Sequence, residues 1–180
     1  MGYRKAILEE IKSIQALDSL ESDHIKDAQL WVNSGAELCR IKKPAIPNKH
    51  LVSYFVVADG EYILLVDHKK AELWLPSGGH VAPNESPRKT VVREAYEELK
   101  IEADFILEHP LFLTVTETVG NVEKHTDVSL WYVLSLGRNT KIDFDKDEFH
   151  SIRWFNINDL PYERSDPHLK RFIEKYSRLI

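Results

Sequence analysis

The stretch GGHVAPNESPRKTVVREAYEELKI, Gly78–Ile101, decides how this chain is to be read. It opens on a glycine pair, passes through a Pro/Asn turn, and enters a segment where Ser86 precedes Pro87. Ser caps helices with its hydroxyl, and Pro is tolerated at the first helical position because its missing N–H would have no partner there. Val91, Val92, Ala95 and Leu99 supply an apolar stripe, so a helix is expected from Pro87 onward. On that helix Glu94, Glu97 and Glu98 stand at i, i+3 and i+4 and share one face. Each like-charged pair costs about 0.2–0.5 kcal/mol even in water. Their place near the helix C-terminus adds to the strain, because the macrodipole there favours cations. Arg93 can screen part of this charge, and a bound divalent cation can neutralise the rest. Oxygen donors without Cys or His suit a hard ion, Mg²⁺ or Mn²⁺, of the kind that binds together with phosphates. Gly78-Gly79 allows close backbone approach, so a carbonyl there is a further candidate ligand.

The spacing carries a resemblance. Gly79, five residues, Glu85, seven residues, Arg93-Glu94, Ala95, one residue, Glu97-Glu98, one residue, Lys100 and Ile101 resembles the Nudix hydrolase signature, GX5EX7REUXEEXGU with U apolar. One position departs from it: Lys100 stands where the family has a glycine that ends the helix at positive φ. A lysine adopts that conformation at a cost of about 1 kcal/mol, so an altered helix exit with intact chemistry is expected. The resemblance implies an α+β fold, a Nudix-like α/β/α sandwich with a central mixed β-sheet, here preceded by a helical extension. It also implies a MutT-like, Mg²⁺- or Mn²⁺-dependent pyrophosphatase acting on a nucleoside diphosphate linked to some moiety X. By the same resemblance Gly79, Glu94, Glu97 and Glu98 are metal ligands, Arg93 orients the glutamates, and Gly78 and Glu85 hold the loop. The general base is then Glu94 or Glu148, the latter in the acidic run Asp143–Glu148. A non-catalytic sensor of nucleotides or nucleotide sugars is the alternative within the same fold.

Outside this stretch, Ile7, Leu8, Ile11 and Ile14 give a helix over residues 3–16, and a second is expected from Ser22 or Asp23 to Ser34-Gly35. Two prolines in Lys42–Pro47 mark the join to the main domain, which divides the chain into 1–46 and 47–180. Leu51–Ala58 and Tyr62–Val66 form a hairpin around Asp59-Gly60. Short strands are expected at Leu73–Leu75 and Gly78–Val81, and longer ones at Ile101–Glu108, Leu111–Thr118, Val128–Leu136 and Ile152–Ile157. A C-terminal helix over Pro167–Leu179 turns Leu169, Phe172, Ile173 and Tyr176 to one face. His125 and Asp127 flank Thr126 at the mouth of the Val128–Leu136 strand, in and just after the loop Gly120–Thr126, and with His80 are candidate substrate contacts; His50 and His68 carry no separable signal.

Composition narrows the function. A net charge of −5 argues against binding the nucleic-acid backbone, while the resemblance implies a small nucleotide-type substrate. A single cysteine, Cys39, allows no intrachain disulfide, and no segment has the length of a membrane span, so a cytoplasmic protein that does not engage membranes is expected. The amphipathic extension reads either as a lid over the site or as part of a homodimer interface.

Overall fold

The computed structural model describes residues 2–43, 46–118 and 124–180. Two helices, α1 (Tyr3–Ser13) and α2 (Ser19–Asn33), come first. The strands β1 (Lys49–Asp59), β2 (Tyr62–His68), β3 (Leu73–Leu75) and β4 (Ser77–His80) lead to helix α3 (Pro87–Leu99). Then follow β5 (Phe112–Glu117), β6 (Thr126–Ser135), β7 (Phe149–Asn156), a single 3₁₀ turn at Tyr162–Arg164, and helix α4 (Leu169–Tyr176).

The strands form one mixed sheet of order β3-β2-β1-β6-β5, with β4 also paired to β1 and β7 to β2. Its spine is the parallel pairing of β1 with β6, which runs in register from Lys49↔Thr126 to Ala58↔Ser135. Long β1 is shared on its other edge: Val52–Phe55 pair with β4 and Val57–Asp59 with β2. Alternation along these strands divides the core in two. Leu51, Phe55 and Val57 of β1, with Val128, Leu130, Tyr132 and Leu134 of β6, pack under α1, α2 and α3. Val56, Ala58, Trp131 and Val133 pack on the opposite face under α4 through Leu169, Phe172, Ile173 and Tyr176. This is the expected α/β/α sandwich.

The N-terminal helices join the first core directly, with Ile7, Ile11, Ala28 and Val32 buried among the residues of α3 and the sheet. Polar contacts tie them down further. Glu21, fully buried, receives the Lys175 ammonium at 2.7 Å and the Leu113 N–H at 3.2 Å. Arg171 of α4 donates to Asp18, and the Tyr132 hydroxyl donates to Glu10.

Several expected boundaries are corrected. Residues 101–108 do not form a strand: they make only a bridge at Phe105↔Leu134. The edge of β6 is already occupied by β5 as far as Trp131, so only its last residues remain for this segment, and Pro110 offers no N–H. The hairpin turn lies one residue later than expected, on Gly60-Glu61, because Asp59 pairs with Tyr62 and Gly60 takes the positive φ of 56°. Helix α2 starts at Ser19 because Asp18 accepts the Glu21 N–H at 2.8 Å and caps it. Val92 leaves the expected apolar stripe and is 49% exposed, since the buried face of α3 runs through Val91, Ala95 and Leu99. Most of the expected loop 120–126 falls outside the described residues.

Candidate active site

Helix α3 begins as the sequence indicates, with Pro87 in its first turn and the Ser86 hydroxyl accepting the Lys89 N–H at 3.3 Å. It ends at Lys100, whose φ of 53° and ψ of 34° are left-handed. The helix exit therefore keeps the conformation that glycine would supply, and the Lys100 ammonium reaches back to the Glu97 carbonyl at 2.9 Å. The loop before the helix is fastened by Glu85, which accepts from the Thr90 hydroxyl at 2.8 Å, the Ala82 N–H at 3.3 Å and both sides of the Arg93 guanidinium at 3.0 Å. Burial opposes the ionised form of Glu85, but these donors hold its carboxyl below the usual range.

Arg93 is the hub. Besides Glu85 it donates to Glu94 at 2.6 Å, to Glu97 at 3.1 Å and to the His80 carbonyl at 3.3 Å. One guanidinium thus links the strand, the loop and the acidic face of the helix, a geometry a lysine's point charge cannot reproduce.

A cleft of about 660 Å³ opens beside this network, lined by Arg93, Glu94 and Glu98 of α3, Gly78, Gly79 and His80 of β4, and Glu148 at the foot of β7. Gly78 has a φ of 153°, and a Cβ on it would meet the Tyr54 Cα at 2.8 Å, so a side chain is excluded there. A Cβ on Gly79 would run into the Glu94 carboxylate, so the missing side chain is what lets that carboxylate lie against β4. Glu98 is only 6% exposed and accepts the Gly78 N–H at 3.1 Å. Burial, reinforced by the neighbouring charges of Glu94 and Glu148, pushes its carboxyl up to about 9. Glu94 is raised by burial as well, with Arg93 opposing and Glu97 and Glu148 adding to the rise. Glu97 sits apart from this pair: its side chain is 57% exposed and held by Arg93 at the rim.

Glu148 reaches the cleft because the loop before β7 is pinned to α3, where the Asp145 N–H donates to the Glu98 carbonyl at 2.7 Å, and to β2, where Lys69 N–H donates to the Glu148 carbonyl at 3.0 Å. No ion pair to the Glu148 side chain occurs among the described residues.

These side chains fit a divalent cation. Three carboxyls gather on one cleft, burial and their mutual repulsion raise those of Glu94 and Glu98, and the one guanidinium among them is shared by Glu85, Glu94 and Glu97. A hard cation is the charge that such an oxygen set lacks.

The cleft wall also holds His80, His125 and Asp127. Burial drives the His80 imidazole down to about 3, with Arg40, His50 and His125 adding to the effect, so it is a neutral ring. Burial pushes the Asp127 carboxyl up to about 6 while His125 and Arg40 pull it down. Sequence reading missed His50, which joins these three residues. His50 is the parallel partner of Asp127, and Val52 pairs with His80. No local pattern announces this, because the partners come from strands far apart in the chain. Arg40, also on the cleft, carries no sequence signal, and Lys43, which as one of the pair Lys42-Lys43 reads as a solvated charge, lines the cleft as well.

Comparison with known proteins gives the same answer as the geometry. No curated protein matches the sequence. In structure the chain is similar to a NUDIX-family hydrolase from Clostridium perfringens, with a TM-score of 0.58 and 21% identity over 73% of this chain and 98% of that one. It is similar also to a MutT NUDIX hydrolase from Burkholderia pseudomallei, with a TM-score of 0.57 and 22% identity over 71% of this chain and 97% of that one. A third similar structure is the dihydroneopterin triphosphate pyrophosphohydrolase of E. coli, with a TM-score of 0.56 and 15% identity over 70% and 93% of the two chains. The family model described as NUDIX domain matches residues 48–176, well over half the chain, and with the Gly79–Ile101 signature folded as described, the chain belongs to the Nudix family of pyrophosphohydrolases.

Proposed function

We propose that this protein is a Mg²⁺-dependent hydrolase that cleaves the pyrophosphate bond of a nucleoside diphosphate linked to a further moiety. The observation that carries the reading is the state of Glu98, a buried carboxyl raised to about 9 beside Glu94 and Glu148 in a cleft of about 660 Å³. Such a group is poorly ionised alone and becomes a strong ligand once a cation arrives. Glu94 and Glu98, with the Gly79 carbonyl and Glu97 from the rim, would hold the ion. A bound Mg²⁺ supplies charge neutralisation to the pyrophosphate and polarises water.

Within this reading the chain's own groups divide the work. Arg93 keeps Glu94 and Glu97 fixed and is a positioning residue. Glu148 is the general base: Glu94 is held by a 2.6 Å hydrogen bond from Arg93 and is used as a ligand, whereas Glu148 lines the same cleft with no ion pair to its side chain among the described residues. It takes the proton from the attacking water as the oxygen–phosphorus bond forms, and the phosphate ester on the far side departs. Arg40 and Lys43 on the cleft are placed to receive phosphate oxygens.

The experiment is a panel of nucleoside di- and triphosphates and nucleotide-linked diphosphates, incubated with Mg²⁺ in ¹⁸O-labelled water. Turnover identifies both the leaving moiety and the phosphorus attacked. Silence across the panel together with no Mg²⁺ binding refutes the proposal, while ligand binding without turnover points to the sensor. Glu148→Gln is expected to lower kcat by about 10²–10⁴ with KM little changed. A variant with unaltered kcat assigns the base elsewhere.

A further inference from the structure

Across the cleft from the glutamates lies a second set of donors. His50 near the start of β1, His80 at the end of β4, and His125 and Asp127 at the start of β6 each bring one ligand atom, and all four atoms lie within 4.8 Å of one another. The β-sheet register places His50, His80 and Asp127 on paired strands, and His125 stands immediately before β6.

His50 is decisive. It is fully buried, and its Nδ1 lies 2.8 Å from the Pro47 carbonyl oxygen. A carbonyl can only accept, so Nδ1 carries the hydrogen and Nε2 presents a lone pair. That lone pair lies 3.4 Å from Asp127 Oδ1, and His125 Nε2 lies 3.2 Å from the same oxygen. The Nε2 atoms of His50 and His80 are buried without a hydrogen-bond partner among the described residues. Two acceptors facing one another out of water are unfavourable unless a positive charge stands between them. Among the described residues no Lys or Arg side chain forms an ion pair with Asp127.

We propose that His50, His80, His125 and Asp127 form a second metal site, for a four-coordinate transition ion of the zinc class, sharing no ligand with the magnesium-class site of the glutamates. Three imidazoles and one carboxylate are a borderline-soft donor set that selects zinc, cobalt or nickel over magnesium. Around an ion bound at about 2.0–2.1 Å with tetrahedral angles, neighbouring ligand atoms stand about 3.3 Å apart. The contacts of 3.2 and 3.4 Å to Asp127 already have that spacing. The wider separations, up to 4.8 Å, are those that ion binding would have to draw in. The hydrogen bond from His50 Nδ1 to the Pro47 carbonyl is the outer contact that fixes the tautomer and the ring plane of a metal-bound histidine. His80 follows Gly79 directly in the chain, so the two ions would flank the same substrate.

The test uses the full chain without a polyhistidine tag, stripped by chelator and titrated with Co²⁺, in the wild type and in Glu98→Gln, His80→Gln and Asp127→Asn. The wild type and Glu98→Gln are expected to take up one equivalent with the intense visible absorption of four-coordinate cobalt, undiminished by excess Mg²⁺. His80→Gln and Asp127→Asn are expected to bind at least tenfold more weakly while keeping the wild-type near-ultraviolet circular dichroism. Should either variant misfold, the wild type still decides: its cobalt form should show three exchangeable, hyperfine-shifted imidazole N–H proton signals. Absence of the absorption and of those signals in the folded wild type overturns the proposal, as does equal affinity in folded His80→Gln and Asp127→Asn. No hydrolysis is read, so failure here and failure of the hydrolase assignment are separable.

Discussion

Replacing Glu98 by Gln should flatten the pH dependence of stability of the metal-free protein. In the native fold its carboxyl is raised from 4.5 to about 9, first by burial and then by Glu94 and Glu148. An acid raised on folding keeps its proton in the native state where the unfolded chain has lost it. Stability from this source is therefore complete below pH 4.5 and is lost progressively as the pH rises towards 9. At 1.36 kcal/mol per pH unit, the span from pH 5 to 8 corresponds to at most ~4 kcal/mol, and coupling to the raised Glu94 carboxyl makes about 2–4 kcal/mol the expected range. Gln keeps the volume and can still accept the Gly78 N–H, but it cannot ionise. Urea unfolding of chelated wild type and Glu98→Gln at pH 5, 6, 7 and 8 checks this, with the wild type expected to lose about 2–4 kcal/mol more than the variant. Saturation with Mg²⁺ at about a hundred times its Kd should then restore ~2.7 kcal/mol to the wild type at pH 8, and much less to Glu98→Gln. Parallel pH profiles for the two proteins would show that Glu98 is ionised in the metal-free fold and would remove the physical basis of the metal assignment.

Gly79→Ala puts a methyl group into the Glu94 carboxylate, so kcat should fall at least tenfold while Tm moves little, because the atom displaced is the end of a flexible side chain. Retained activity would mean that Glu94 need not lie against β4. Lys100→Gly relieves a left-handed lysine and should raise stability by up to about 1 kcal/mol, or about 2–4 °C in Tm, with kcat unchanged; a lower Tm would mean that the contact with the Glu97 carbonyl outweighs the backbone strain. Lys175→Met leaves Glu21 buried without its 2.7 Å partner and should cost about 3–5 kcal/mol in urea unfolding, most of it recovered in Glu21→Leu/Lys175→Met. If the double variant is no more stable than Lys175→Met, the two side chains are not coupled.

The acidic helix and its ends were legible because their causes are local. Ser86, Pro87 and the apolar spacing of Val91, Ala95 and Leu99 start and orient α3 within one segment of chain. The 94, 97, 98 spacing alone placed three carboxylates on one side. What spacing could not tell was their different surroundings: β4 and the loop before β7 bury Glu98, while Glu97 stays in water at the rim with Arg93. The segment 101–108 misled for the complementary reason. Its alternation suits a strand, but a strand needs a free edge, and β5 had taken most of the edge of β6. In the same way Val92 is apolar by type but is turned outward by the helical period.

By itself the sequence determined the family, the sandwich class and the glutamates of the signature, since each rests on residues within reach of one another along the chain. Tertiary structure alone decided that residues 3–33 belong to the same core as the sheet and that His50 meets Asp127, and it brings Glu148, which the family resemblance had offered as a base, into one cleft with Glu94 and Glu98. Those meetings depend on the parallel register of β1 with β6 and on side chains brought together from distant strands. Long-range pairing of that kind is selected by burial of both sheet faces at once, and no stretch of the chain records it.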